Sequence, residues 1–218
     1  MRDAYFEQLD TIVDDLVKMT YEVQTAVRKA SRALLTADAE VAEQVITEDA
    51  EIDTMRESIE ERCFELIALQ QPVAGELRML VATLRMVSDL ERMGDLSVHV
   101  AKVARLRVPE VAIPGEMLPT IERMAEVAEK MVGQAAGIIA DRDVEGAYAL
   151  EESDEEMDAL RSSCFRMMLD DDWAHGVEPA VDMALLGRYY ERIADHAVSV
   201  ARRVVYLVTG RTASAEHI

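Results

Sequence analysis

The side chains of this sequence best placed to do chemistry are Glu91 and Asp95, four residues apart, and Glu191 and Asp195, which repeat that spacing a hundred residues later. Acids at i and i+4 share one helix face, where their oxygens can converge on a cation. Such pairs are common here, because 43 of the 218 residues are Asp or Glu, and a solvated face is the ordinary reading of any one of them. These two stand apart by their surroundings. Between Leu77 and Val108 only Asp89 accompanies Glu91 and Asp95, and between Met183 and Ala215 Glu191 and Asp195 are alone. Each pair also encloses a small residue, Gly94 or Ala194, that permits close approach of a neighbouring helix or bound ion. Glycine there is not free, since it costs a helix interior about 1 kcal/mol against alanine.

A second acid pair joins each of these by level. If the chain folds back at Gln71-Pro72, the midpoint of Glu91 and Asp95 lies about 21 residues past the apex, opposite a point about 21 residues before it, which Asp49 and Asp53 bracket. With an apex near residue 174, the same construction sets Asp154 and Asp158 level with Glu191 and Asp195. The dipeptides Cys63-Phe64 and Cys164-Phe165 suggest another alignment, matching Asp53 with Asp154, but the level argument favours the first. Four carboxylates between packed helices repel by several kcal/mol where water is scarce. One metal site per half is therefore expected. All-oxygen ligation suits a hard cation, Mg, Mn, Ca or ferric iron, and the lack of nearby cysteine argues against structural zinc. The alternative is that Arg92 and Arg192 neutralise the acids, or that the acids face water. His99 extends the Glu91 and Asp95 face, but Ser199 stands at the corresponding place, so His99 is expected to be ordinary surface or core, while His196 could serve as an occasional ligand. No Glu has a His three residues on, the spacing that di-iron carboxylate bundles use, which argues against a ferritin-like oxidase.

The elements that must position these acids are helices. Apolar residues recur at helical spacing from Phe6 through Leu9, Ile12, Leu16, Met19, Val23 and Val27, with no useful run of strand-like alternation. Helix one is predicted over about residues 4–35, with caps for helix two at Thr36-Ala37-Asp38. Helix two ends near Leu69, Gln70-Gln71-Pro72 forms the turn, and helix three runs from there to about Arg107. Val108 to Gly115, with two prolines and a glycine, reads as a linker near mid-chain. The plan then repeats: a helix over about 116–140, a break at Asp141-Arg142-Asp143, a helix to about Leu169, a turn at 170–176, and a last helix to Thr209 stopped by Gly210. Residues 89–101, DLERMGDLSVHVA, and 189–201, YYERIADHAVSVA, coincide at Glu, Arg, Asp, Val, Val and Ala, which points to duplication of a helical unit. The expected fold is all-α: two tandem, sequence-related three-helix bundles of six long antiparallel helices, divided as 1–109 and 110–218.

Composition agrees with helices and narrows the partners. Half of the residues are hydrophobic, aromatics are 5%, and glycine and proline are scarce, with nine and five residues. The formal charge of −20 sets nucleic acid and anionic membranes aside as partners and favours cations and basic protein patches. The opening MRDAYFEQLD lacks a basic segment followed by an apolar stretch, and no run approaches a membrane span, so a cytoplasmic location is expected. Cys63 and Cys164, far apart and outside any CxxC, are expected as buried reduced thiols, and most of the 13 methionines as core.

At Glu91-Arg92-Met93-Gly94-Asp95, Glu191-Arg192-Ile193-Ala194-Asp195 and Gln71-Pro72-Val73-Ala74-Gly75-Glu76-Leu77-Arg78, the sequence resembles the PhoU family of phosphate-signalling regulators, over roughly Tyr5 to Gly210. The resemblance implies paired three-helix bundles whose Glu/Asp-x-x-x-Asp motifs hold multinuclear clusters of carboxylate-bound metal ions, Fe, Mn, Mg or Zn. The motifs here are Asp49 with Asp53, Glu91 with Asp95, Asp154 with Asp158, and Glu191 with Asp195. Ala194 departs from the family's usual glycine. The resemblance also implies the role of a non-enzymatic negative regulator of phosphate uptake. It would act, often as a homodimer, by contact with the ATPase of an ABC phosphate transporter and with a sensor histidine kinase of a two-component system, and so reach the membrane only through protein partners. A rival from another class is a metal-dependent phosphohydrolase, since clustered metals can activate water; neither half offers an evident general acid or substrate-gripping loop. A third reading is a purely structural bundle.

Overall fold

The computed structural model describes residues 2–211 as six helices: α1 (Arg2–Thr36), α2 (Ala39–Gln70), α3 (Gly75–Arg107), α4 (Leu118–Asp141), α5 (Val144–Met168) and α6 (Val177–Thr209). Within each half three helices pack on one another, α1 with α2 and α3, and α4 with α5 and α6. The halves meet through α1 against α4 and α3 against α6, so α2 and α5 lie on the flanks. One continuous apolar core runs through both halves, from Leu9, Leu16 and Val23 of α1 to Ile193, Ala197 and Val204 of α6. Cys63 and Cys164 are free thiols inside it, and burial pushes them up to about 12 and about 11. Among the described residues no helix is long and apolar enough to cross a membrane.

The duplication shows first in how the helices stop. α1 ends on Ala37 at φ 52°, and α4 on Arg142 at the same φ, each a left-handed residue that closes the helix without glycine. In both places the next residue is the N-cap of the following helix. The Asp38 side chain accepts from the Val41 amide at 3.0 Å, and Asp143 from the Gly146 amide at 2.9 Å. These two caps fix the start of α2 and α5, and therefore the height of every acid along them. Counted from the caps, Asp49 corresponds to Asp154 and Asp53 to Asp158. The cysteines do not keep that offset: Cys63 follows Asp49 by 14 residues, and Cys164 follows Asp154 by 10. The difference, close to one helical turn of 3.6 residues, shortens α5 while leaving its buried face in place. The conflict between the two alignments of the second helix is thus one lost turn. Two starts fall later than the proline positions suggest: α3 begins at Gly75, because Ala74 takes a positive φ of 49°, and α4 begins at Leu118 with Pro119 in its first turn. Gly210 closes α6 at φ 71°, its amide donating to the Tyr206 carbonyl at 2.9 Å.

α3 and α6 run antiparallel along the seam between the halves. Arg107 near the end of α3 meets Asp182 near the start of α6, while His99 stacks on Tyr189 and Asp89 reaches Ser199 and Arg203. Residue numbers rise on one helix as they fall on the other. Gly94 and Ala194, at the centres of the repeated motif, thereby fall at the same level.

Candidate metal centres

All eight acids singled out by spacing lie along two helix pairs, four on α2 and α3 and four on α5 and α6. On α2, Asp49 is half-buried and Asp53 exposed; on α5, Asp154 and Asp158 repeat that pattern. On α3, Glu91 and Asp95 are both half-buried, whereas on α6 Glu191 is buried and Asp195 exposed. In each half the four carboxylates act on one another. The Asp49 carboxyl is pushed up to about 6, first by burial and then by the charges of Asp95, Asp53 and Glu91. Asp154 is pushed up to about 6 by burial and then by Asp195, Asp158 and, more weakly, Glu191. Burial and the Asp95 charge raise Glu91, and burial and the Glu191 charge raise Asp195. Charges that shift one another across two helices stand at a common height, and both halves repeat the arrangement.

The spacing of α2 from α3 at this height depends on Gly94. A Cβ there would stand 3.2 Å from the Ile52 Cδ1 and 3.4 Å from an Asp49 carboxylate oxygen, tighter than ordinary contact for the first. A pocket of about 30 Å³ lies beside Gly94 and Asp49, with Glu22, Glu48 and Glu51 around it, which is room for a water or a small ion. In the other half, the Asp154 Oδ1 is buried with no hydrogen-bond partner among the described residues, an uncommon state for a carboxylate oxygen and one that suits a cationic guest.

Arginines hold several of these carboxylates. Arg92 donates to Asp95 at 2.9 Å and lies 3.6 Å from Glu91. In the second half the donors come from elsewhere: Arg161 of α5 reaches Glu191 at 3.0 Å, and Arg188, one turn before Glu191, holds its other oxygen. Arg192, named with Arg92 in the alternative reading as a neutraliser of these acids, makes no ion pair with a described residue. Among the described residues no three His, Cys, Asp or Glu side chains are gathered closely enough to hold a metal ion as they stand. The donor set nonetheless fits one chemically. It is all oxygen, mutually repelling and partly dry, the environment that favours a hard divalent cation over free carboxylates.

The seam supplies a second cluster that spacing did not single out. Asp89 of α3, half-buried, receives the Arg203 guanidinium at 2.9 Å and the Ser199 hydroxyl at 3.1 Å, and lies 3.0 Å from the His196 Nδ1. Burial alone would raise its carboxyl, but the His196 hydrogen bond and the Arg203 charge outweigh it and hold Asp89 below the usual carboxylate range. His196 is therefore engaged with the other half of the molecule. His99 is exposed, as expected, and stacks on Tyr189 with ring centroids 5.2 Å apart.

A duplicated three-helix unit, with one four-acid group per copy at matching heights, defines a tandem, all-helical bundle. The PhoU domain model matches twice, over residues 16–104 and 121–204, and the chain belongs to the PhoU family. It is 45% identical over 210 residues to the phosphate-specific transport system accessory protein PhoU homolog 2 of Mycobacterium tuberculosis, covering 96% of this chain and 99% of that one. The crystal structure of PhoU from Pseudomonas aeruginosa superposes with a TM-score of 0.87 at 29% identity, covering 95% of this chain and all of that one. That of the phosphate transport system regulatory protein PhoU from Streptococcus pneumoniae gives 0.83 at 26% identity, over 96% and 99%.

Proposed function

We propose that this chain is a non-enzymatic accessory regulator of phosphate transport that works in the cytoplasm by protein contact. It restrains uptake by engaging the ATPase of an ABC phosphate transporter, and it reports to a sensor histidine kinase. The single observation that carries the reading is the near full-length identity to a protein named as a phosphate-specific transport system accessory protein. The surface supports contact as the mode of action. Large apolar side chains are exposed at the tips of both outer hairpins, Leu69 and Val73 between α2 and α3, and Leu169 and Val177 between α5 and α6. Scattered exposed apolar residues mean little, but their repetition at equivalent tips of a duplicated fold gives two similar contact points, for partners or for a second copy of the chain.

Asp49, Asp53, Glu91 and Asp95 in the first half, and Asp154, Asp158, Glu191 and Asp195 in the second, would hold the metal ions. A bound divalent cation, Fe, Mn, Mg or Zn, supplies charge neutralisation that lets the four acids stay ionised side by side. The protein's own part is to set α2 against α3, and α5 against α6, at a fixed height through the Asp38 and Asp143 caps and the small residue at Gly94. The test is association of the purified protein with the transporter ATPase and with the kinase's cytoplasmic portion, by biolayer interferometry, beside phosphate uptake in cells lacking the chain. Saturable binding to the ATPase and unrestrained uptake are expected. No binding to either partner, with unchanged uptake, contradicts the proposal. Steady phosphate release from a phosphate monoester by metal-loaded protein, lost in Glu91→Gln, would instead favour the hydrolase.

A further inference from the structure

A cleft of about 560 Å³ opens over the α3–α6 seam, and basic side chains outnumber acidic ones in its wall. Three arginines line it, Arg92 from α3 and Arg188 and Arg192 from α6, together with His99 and His196. Asp95 is the one acid in its wall among the described residues, and its Oδ2 already accepts from Arg92. In a chain of formal charge −20, three guanidiniums and two imidazoles meet in this one concavity.

The arginines are partly committed and partly free. Arg92 gives Nη1 to Asp95 and has its Nε 3.6 Å from Glu91, and Arg188 gives Nη1 to Glu191, so each fork keeps its Nη2 donors. Arg192 makes no hydrogen bond or ion pair with any described residue. An exposed arginine with no partner among the described residues, beside two others that retain donors, offers the planar N–H geometry that a tetrahedral oxyanion accepts. The volume lies within the range of small-molecule sites and exceeds what one oxyanion fills, so a phosphate ester is accommodated as well as the free anion. At one wall the exposed imidazole of His99 lies on Tyr189 and offers a stacking surface for a ring. The overall negative charge does not forbid this. At physiological ionic strength the Debye length is about 8 Å, so the cleft is governed by its own lining rather than by acids on the far helices.

We propose that the α3–α6 cleft binds a phosphate oxyanion, as inorganic phosphate or as a phosphate monoester, with Arg192 as its principal contact and Arg92 and Arg188 completing the cage. The site uses residues of both halves, so only the assembled duplicate can form it. It adjoins both acid groups, since Asp95 stands in its wall and Arg92 and Arg188 reach Asp95 and Glu191, but its principal contact, Arg192, pairs with none of those acids among the described residues.

Isothermal titration of the folded full chain, in chelator, at about pH 7 and about 0.15 M salt, with inorganic phosphate and with AMP, tests it. One saturable event per chain is expected with at least one of the two. Arg192→Gln weakens it about tenfold, the loss of one charge-assisted contact, while Arg192→Lys loses less. Tighter binding of AMP, reduced by His99→Ala, assigns the cleft to an ester; tighter binding of phosphate, indifferent to His99→Ala, assigns it to the free anion. Arg105→Gln removes one exposed positive charge paired with Glu43, away from the cleft, and leaves binding unchanged. The proposal is overturned if neither ligand saturates up to about 10 mM, or if Arg105→Gln weakens binding as much as Arg192→Gln.

Discussion

Asp49 and Asp154 carry the clearest consequence at the scale of single residues. Both carboxyls are raised from the ordinary aspartate value of 3.8 to about 6 in the folded chain. Over that interval the native state binds more protons than the unfolded chain, so their contribution to stability falls as pH rises from about 4 to about 6 and is least at neutral pH. Asp49→Asn and Asp154→Asn are therefore expected to raise the melting temperature of metal-free protein at pH 7, by about 2 to 4 °C for each kcal/mol relieved, and to flatten its slope between about pH 4 and pH 6. Thermal unfolding followed by circular dichroism across that range checks both, and a neutral or lower melting point in the Asn variants would mean that these acids are not crowded. The acids themselves were legible in the sequence, because their spacing and isolation within α3 and α6 are local properties. Their arginine partners were not. Arg188 sits three residues before Glu191 on the same face, a readable signal, but Arg161 arrives from α5 and its reach depends on packing.

At the scale of elements, the turns fix the heights and Gly94 fixes the gap. Because a Cβ at position 94 meets Ile52 and Asp49 at 3.2 and 3.4 Å, Gly94→Ala is expected to be nearly neutral, the helix-propensity gain of about 1 kcal/mol offsetting a small displacement of Ile52. Gly94→Val has no such latitude and should cost about 1–3 kcal/mol by overpacking the α2–α3 contact. Chemical denaturation of the two variants separates them, and an equal loss for both would show that the gap is not what Gly94 provides. All six helices could be placed within a few residues from the sequence, since Asp caps, prolines and the closing Gly210 mark their ends. The missed detail was the lost turn in α5. Helical periodicity tolerates a four-residue deletion without altering the buried face, so nothing in the pattern of apolar residues betrays it.

At the scale of the molecule, the two halves are fastened through a seam that the sequence does not disclose. A turn apex sets the level of helices within one half, but no local signal says how α3 meets α6 across the duplication. Asp89 is the tie. Replacing it with alanine leaves Arg203 and His196 without their carboxylate and is expected to destabilise the chain by about 2 kcal/mol. Asp89→Asn, which keeps a hydrogen-bond acceptor, should cost less. Its linkage runs opposite to that of Asp49: the Asp89 carboxyl is held low, so its contribution is present above the usual carboxylate range and is lost as pH falls through its folded value. Equilibrium unfolding in urea measures the cost, and an Asp89→Ala protein as stable as the parent would remove this seam from the account.

Metal content is the most direct measure of whether the acid groups are cation sites. Purified chain equilibrated with Mn²⁺ and passed through a desalting column, then analysed by plasma mass spectrometry, should retain manganese in proportion to protein. Asp95→Asn and Asp195→Asn should each lose the share belonging to their own half, and the double variant nearly all of it, with helicity unchanged. Manganese content equal in the parent and the double variant, whether high or absent, would contradict the central claim.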